Sequence, residues 1–566
     1  MPLSSSEKAV FLGFFVHYIW NRKQAPTVLQ AYASQLSQTL PLISEILGIY
    51  LIIRTIRFVF KLKRLILLEL TFQDVKNVIG STVTSIAKKL PYVSAKIAEE
   101  FKKVEEKMEH DMKGAIPAED RGRRQIPENG WDSQIILDKM ASLAAPESMK
   151  WKNGYVSGGI YHGGEKLLNL QFSAMKLYDV SNPLHADLWP SLSKYEAEVI
   201  AMTASLVNGG DERICGSITT GGTESIFMAT KAHREWAQRT KKITEPEIIA
   251  GVNAHAAIDK ACEILKIKLI KVPVDPKTSK VIPSEVKKRL SSDTIMIYSS
   301  APSFPHGIID PIEELSSIAK RHGCGLHVDC CLGGFFLPFL NKLGPGYAIS
   351  DKFGFELPGV TSMSLDTHKF GYAAKGTSVV LYRNKDFRHY QYFAYPQWTG
   401  GLYITPSLPG SRNGALIAAA WAALMNVGLN GYLEATKKIS DCMKIIRQGI
   451  QEEIPELKIC GDPRAMIVGF ASNGKIDIYA LGELMHKKGW AMNMLQHPAS
   501  AHICVTLPVS PYGRRFVDDL KVCVNELKTR DSSSVGSAPV YGVAAKLPDG
   551  PLVDVLNTFL DVFYKV

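Results

Sequence analysis

Cysteine is sparse and unpatterned: nine in 566 residues, an odd number, with no pair set as C-x-x-C. That excludes a disulfide framework and a zinc spacing, and fits reduced thiols in a domain facing the cytosol. The chain carries no internal repeat, no basic repeat and no RNA-binding motif. Its net charge of +11 is therefore not read as nucleic-acid binding, because Arg54, Arg57, Lys61, Lys63 and Arg64 near the N-terminus supply part of it. Low-complexity sequence is confined to "DSSSVGSAP", Asp531 to Pro539, which is expected to be a surface loop. Apolar residues at 46% and charged residues at 21% are ordinary for a globular protein. The length is too great for one core, so two folded domains plus extras are expected.

Long apolar runs are also few, and both lie at the start. "AVFLGFFVHYIW" (Ala9 to Trp20) is too short to cross a bilayer. "PLISEILGIYLIIRTIRFVF" (Pro41 to Phe60) has the length of a spanning helix, with Arg54 and Arg57 placed where long side chains can snorkel. The basic cluster that follows puts the rest of the chain in the cytosol. The alternative is an amphipathic helix lying on the membrane surface. Neither run is followed by a small-residue cleavage site, which argues against a removed signal peptide. "AKIAEEFKKVEEKMEHDMKG" (Ala95 to Gly114) alternates charge at helical spacing and reads as a solvated stalk. "PAEDRGRRQIPENG" (Pro117 to Gly130) reads as loop, so the folded body begins near Asp132.

From about residue 195 helix-like and strand-like segments alternate. "TIMIYSS" (Thr294 to Ser300), "GLHVD" (Gly325 to Asp329), "VTSMSL" (Val360 to Leu365) and "TSVVLY" (Thr377 to Tyr382) are short apolar or β-branched runs. This rhythm predicts an α/β domain with a mostly parallel sheet, in which ligands sit beyond the carboxyl ends of strands.

Four segments place polar residues at such ends. "TTGGTES" (Thr219 to Ser225) has two glycines that let backbone approach a ligand, and Thr223 is expected to cap the following helix, whose N-terminus is an anion site. In "HVDCCLGG" (His327 to Gly334), Asp329 ends an apolar strand, where a carboxylate needs a partner. In "NAHAAIDKA" (Asn253 to Ala261), His255 precedes a helix-like run. In "SLDTHKFGYAAKG" (Ser364 to Gly376), Lys369 follows a strand, and burial there is expected to lower its pKa and leave a nucleophilic amine. Each alone has a plainer reading: a capped turn, an Asp cap, a structural histidine, a lysine reaching water. Together they match what pyridoxal phosphate needs: a phosphate cradle, a ring-stacking histidine, an anion for the ring nitrogen, and a lysine for the aldehyde.

The same segments resemble the fold-type I pyridoxal-phosphate enzymes, in the branch that contains the group II decarboxylases. "SGGIYHGGEKL" (Ser157 to Leu167), "SNPLHADLWP" (Ser181 to Pro190), "FPHGIIDP" (Phe304 to Pro311), "DTHKFGYAAKG" and "GSRNG" (Gly410 to Gly414) narrow the resemblance to the sphingosine-1-phosphate lyases, from about residue 130 onward. The first 60 residues match that family only in plan.

The resemblance implies cleavage of phosphorylated sphingoid bases between carbons 2 and 3, giving a long-chain aldehyde and phosphoethanolamine. It implies that Gly222, Thr223 and His368 lie at the cofactor phosphate, that His255 stacks on the ring, and that Asp329 holds the ring nitrogen. Tyr161, His185 and Lys375 would bind the substrate phosphate. Ser411 would reach the cofactor of a neighbouring subunit, which implies a homodimer with shared sites. Two departures are small: Cys330 where the family commonly has alanine, and "AAKG" for a proline-containing version.

The expected organisation is an N-terminal segment 1–65 with the span at about 41–60, a helical stalk and linker 66–131, a cofactor-binding large domain 132–410, and a smaller C-terminal α/β domain 411–566. The expected location is the endoplasmic reticulum membrane, single-pass, with the catalytic part cytosolic. Which group takes the carbon-3 hydroxyl proton stays open, Lys369 being one candidate. Two other readings remain: an amino-acid decarboxylase, for which Arg412 could hold a substrate carboxylate, and a membrane-anchored inactive scaffold.

Overall fold

The computed structural model of the chain describes residues 120–207, 210, 212–529 and 549–565, with scattered positions between 99 and 117. The apolar runs at 9–20 and 41–60 and the serine-rich patch at 531–539 lie outside the described residues.

The larger compact unit, Ala118–Lys546, is organised on a seven-stranded sheet. Its strands are β1 (Cys215–Thr219), β2 (Glu247–Gly251), β3 (Lys268–Val272), β4 (Thr294–Ser300), β5 (Gly325–Asp329), β6 (Val360–Leu365) and β7 (Ser378–Tyr382). The order is β1-β7-β6-β5-β4-β2-β3. Pairs from β3 through β6 are parallel, while β7 runs antiparallel to both β6 and β1. Six strands thus share one direction. The reversal of β7 follows from its connection: the segment between β6 and β7 carries no helix, and a parallel return needs a crossover. The central strands are buried on both faces, so they read as continuous apolar runs rather than alternating ones.

A hairpin, β8 (Phe393–Tyr395) and β9 (Tyr403–Thr405), follows. Beyond it the helix Gly414–Glu453 leads to a second sheet of β10 (Leu457–Ile459), β11 (Ile467–Ser472), β12 (Asn493–Leu495) and β13 (Ser500–Cys504), antiparallel throughout. Among the described residues Gly414–Glu453 is the one helix long and apolar enough to cross a membrane. Its helical path is interrupted at Gly428 (φ 57°, ψ 176°), and its apolar residues, Ile417 to Leu424 and Ile439 to Ile450, are part of the main core. That is the signature of a core helix.

The second unit comprises 1–117 and Leu547–Val566. Its described residues are helical pieces between 99 and 113 and the helix Asp549–Tyr564. Lys103 pairs with Glu99 at 3.1 Å, and Lys565 with Glu109 at 2.6 Å. The first of these is the i,i+4 pairing that the charge alternation predicts.

Candidate active site

Four strand ends converge. β1 runs into Thr220–Gly221 and the helix Gly222–Lys241. His255 stands between β2 and the helix Ala257–Leu265, Asp329 ends β5, and Asp366, His368 and Lys369 follow β6. Gly222, Thr223, His255, Asp329, His368 and Lys369 line one cavity of about 330 Å³. They meet there because the parallel strands deliver their carboxyl ends to one edge.

The helix Gly222–Lys241 has Gly221 as its N-cap and no side-chain cap, so its first amides are left for a ligand. Thr223, expected to be the cap, lies inside the first turn instead. Glu224 does the fastening: its Oε2 accepts from Thr220 N at 2.7 Å and Thr220 Oγ1 at 2.6 Å, reaching back as a capping box does. A Cβ on Gly222 would stand 2.7 Å from Cys331 Sγ and 2.9 Å from both Asp366 oxygens, so only glycine fits. His255 Nδ1 accepts from Ala257 N at 3.1 Å, which fixes its ring against the helix start.

Asp329 is 8% exposed and well supplied with donors. Tyr298 Oη donates to Oδ2 at 2.5 Å, Cys331 N to Oδ1 at 3.1 Å and Ser364 Oγ to Oδ1 at 3.3 Å. Burial pushes its pKa up, but His255, these donors and Lys369 pull it below the ordinary carboxylate value. Asp329 is therefore an anion aimed into the cavity. Tyr298 Oη stays protonated, since burial and the facing carboxylate raise its pKa strongly.

Lys369 corrects an expectation. Burial alone lowers its pKa, as predicted, but the Asp366 carboxylate, with Oδ2 2.8 Å from Nζ, reverses the sign. The net shift is upward, and the amine is held as an ammonium. Asp366 stands three residues before Lys369 in the segment that drew attention to the lysine, yet its role depends on the turn that brings the two together.

A second cavity, of about 350 Å³, shares His368 and Lys369 with the first and adds Tyr161, Lys375 and the apolar side chains Leu167 and Phe172 of the helix Glu165–Tyr178. Lys375 Nζ lies 4.5 Å from the Tyr161 ring centre and donates to the His368 carbonyl at 3.4 Å. Desolvation by the walls, then the Lys369 charge, lower its pKa to about 8. Burial raises that of Tyr161, which remains a hydroxyl donor. The loop between Lys369 and Lys375 turns at Tyr372, a non-glycine residue at φ 61°. It is held by Gln171 Nε2 on its carbonyl at 3.1 Å and by stacking on Tyr432 at 5.6 Å.

His185 and Ser411 are exposed and line neither cavity. Arg412, the candidate carboxylate anchor of a decarboxylase, is ion-paired with Glu196 and also lines neither. Tyr298, Asp366, Cys331 and Glu224 were not identified from the sequence.

Known proteins are similar to this chain over most of its length. Residues 180–473 match the family described as the pyridoxal-dependent decarboxylase conserved domain. The chain is 42% identical to a sphingosine-1-phosphate lyase of Dictyostelium discoideum over 87% of its own length and 91% of that protein. It is 40% identical to sphingosine-1-phosphate lyase 1 of Mus musculus, over 85% and 84% of the two chains. A solved sphingosine-1-phosphate lyase of Burkholderia pseudomallei superposes with a TM-score of 0.73 at 37% identity, covering 79% of this chain and 98% of that one. A glutamate decarboxylase of Lactobacillus brevis, 18% identical with a TM-score of 0.62, shares the fold. With a bare helix start beside Gly222, an anionic Asp329 and a lysine between them, and with relatives matched over most of their length, the chain belongs to the sphingosine-1-phosphate lyase family of pyridoxal-phosphate enzymes.

Proposed function

We propose that this chain is a carbon–carbon lyase that splits phosphorylated sphingoid bases into a long-chain aldehyde and phosphoethanolamine. The observation that carries it is the pair of cavities meeting at His368 and Lys369, one lined by a bare helix start, an anionic Asp329 and Lys369, and one with a cation, a phenol and an apolar wall. The residues of the first fit pyridoxal phosphate: the uncapped helix start at Gly222 and Thr223 would offer backbone amides to the group's phosphate, and Asp329 would supply an anion for a ring nitrogen. When bound, pyridoxal phosphate supplies an aldehyde for amines and a ring that accepts the electron pair of the breaking carbon 2–3 bond.

The chain's own residues do the rest. Asp329, held as an anion by Tyr298, Cys331 and Ser364, would hold the cofactor's ring nitrogen in its protonated form. His255, which lines the same cavity, would pack against the ring. Lys369 Nζ, in its neutral form, is one candidate to take the carbon-3 hydroxyl proton. The proton removed from that oxygen balances the one delivered to carbon 2, so no net acid or base is consumed. Tyr161 Oη and Lys375 Nζ hold the substrate phosphate, and Leu167 and Phe172 face its hydrocarbon end. Ser411, exposed on this chain, acts across a homodimer at the cofactor phosphate of a second copy. The test of the whole reading is product analysis on a phosphorylated long-chain base. Aldehyde and phosphoethanolamine are expected, and carbon dioxide from an amino acid would favour a decarboxylase instead.

Lys375→Ala is expected to cut kcat/KM for the phosphorylated base by roughly ten- to a hundredfold, the value of one charge-assisted hydrogen bond. Cofactor content should not change, and an unphosphorylated base should react poorly with both proteins. A lysine with a pKa of about 8 is charged below that pH and neutral above it, so KM for the phosphorylated base should rise as pH passes through 8. Equal slowing of both substrates would remove Lys375 from the phosphate site.

The sphingolipid substrate also suits a membrane enzyme. The run at 41–60 forms a single span of the endoplasmic reticulum, with the N-terminus luminal and the catalytic unit cytosolic. A glycosylation tag placed before Ser6 should be modified and one at the C-terminus should not. The reverse pattern would refute the orientation.

A further inference from the structure

The two buried carboxylates of the first cavity are held differently. Asp329 has three donors. Asp366 is 1% exposed, its Oδ2 lies 2.8 Å from Lys369 Nζ and 3.6 Å from His368 Nε2, and among the described residues no hydroxyl or backbone N–H donates to either oxygen. Both oxygens border the turn at Gly222, 2.9 Å from where a Cβ would stand there. This is an awkward place for a fixed negative charge if the turn cradles a phosphate. It is equally awkward for Lys369, which as an ammonium cannot attack an aldehyde. One proton movement removes both difficulties.

We propose that Asp366 is the proton acceptor for Lys369: as the cofactor enters, a proton passes from Nζ to the carboxylate, leaving a neutral amine and a carboxylic acid that can donate to an anion in the cradle. The Nζ–H bond breaks with its electron pair staying on nitrogen. The new O–H bond forms from a carboxylate lone pair, and no proton is exchanged with solvent. This rests on the pyridoxal-phosphate reading of the cavity. The other groups facing the pair do not compete. Asp329, which also feels the Lys369 charge, is already engaged by three donors, and Cys331, Cys504 and Tyr161 stay protonated because burial raises all three. Lys375 is a weaker and more distant cation, and the His368 ring, kept neutral by burial, lies beyond hydrogen-bond reach.

The test uses the full chain prepared without cofactor and titrated with pyridoxal phosphate. In the infrared difference spectrum, loading of the wild type should produce the carbonyl stretch of a protonated carboxylic acid, absent in Asp366→Asn. The rate of cofactor attachment should be nearly flat from about pH 6.5 to 8.5 in the wild type, because the proton stays inside. In Asp366→Asn it should climb about tenfold per pH unit until the amine titrates, since the proton must now leave to solvent. Asp366→Glu, which retains an acceptor, should restore the flat profile. If the asparagine variant does not fold, the wild-type infrared band decides: its absence on loading overturns the proposal. The proposal is overturned if the wild type shows no such band, if the band survives in Asp366→Asn, or if the pH slopes agree. A wild-type chain that takes up no pyridoxal phosphate would sink the cofactor reading itself, and this proposal with it.

Discussion

Lys369→Ala should show no turnover above about one part in 10³ of the wild-type rate, as expected when a covalent participant is removed. Borohydride should fix cofactor to the wild-type chain at Lys369 and nowhere on the variant. The competing candidate is real. By pKa alone Lys375, at about 8, offers more free amine at neutral pH than Lys369, which Asp366 holds charged. Position decides the other way: Lys369 lines the cavity that contains Asp329 and the bare helix start, and Lys375 does not. Peptide mapping that located the label on Lys375 would overturn the assignment. The alanine variant has a second expected signature. It leaves Asp366 buried without its cation, and stranding one member of a buried ion pair costs about 3–5 kcal/mol. The unloaded variant should therefore melt well below the unloaded wild type, while Lys369→Arg, equally inactive, should melt close to it. An alanine variant as stable as wild type would mean that the ion pair does not form.

Asp329→Asn should retain cofactor and lose roughly 10²–10³ in kcat, the scale set by removing one preorganised electrostatic group. The reasoning is that an amide cannot hold a proton on a ring nitrogen as an anion can, although it fills the same space. Tyr298→Phe should act in the same direction by a smaller amount. It removes the 2.5 Å donor from Oδ2 and so weakens the preference for the charged carboxylate, at about 1.5–3 kcal/mol for a bond to a charged group. The two losses should not add, because both act on one anion. A wild-type rate in Asp329→Asn would make the carboxylate structural only.

Much of this was legible in the sequence. The runs at 294–300, 325–329 and 360–365 are strands with the bounds that composition suggests, because doubly covered strands are apolar without interruption. The residues at their ends could be read because the chemistry of a strand end is local. What could not be read depends on register and turns. Tyr298 reaches Asp329 only because β4 and β5 pair in parallel with Tyr298 opposite His327, a fact contained in neither segment. Thr223 missed its capping role by two positions, since Gly221 is where the chain leaves extended geometry. The charge on Lys369 was misjudged for a related reason. Burial was visible, but the partner three residues away becomes one only when the turn after β6 folds.

The turn at Tyr372 bears on how new substrates can be engineered. Asp366, His368, Lys369 and Lys375 lie on one short loop, pinned by a left-handed tyrosine whose carbonyl and ring are both held from outside. The two cavities thus share one continuous piece of backbone, and a change made to retune either will displace the other. The opposite wall, Tyr161 and the helix Glu165–Tyr178, belongs to a separate stretch of chain. Libraries aimed at shorter chains are best confined to the apolar Leu167 and Phe172 of that helix, leaving Gln171, which pins the turn, and Tyr161 unchanged.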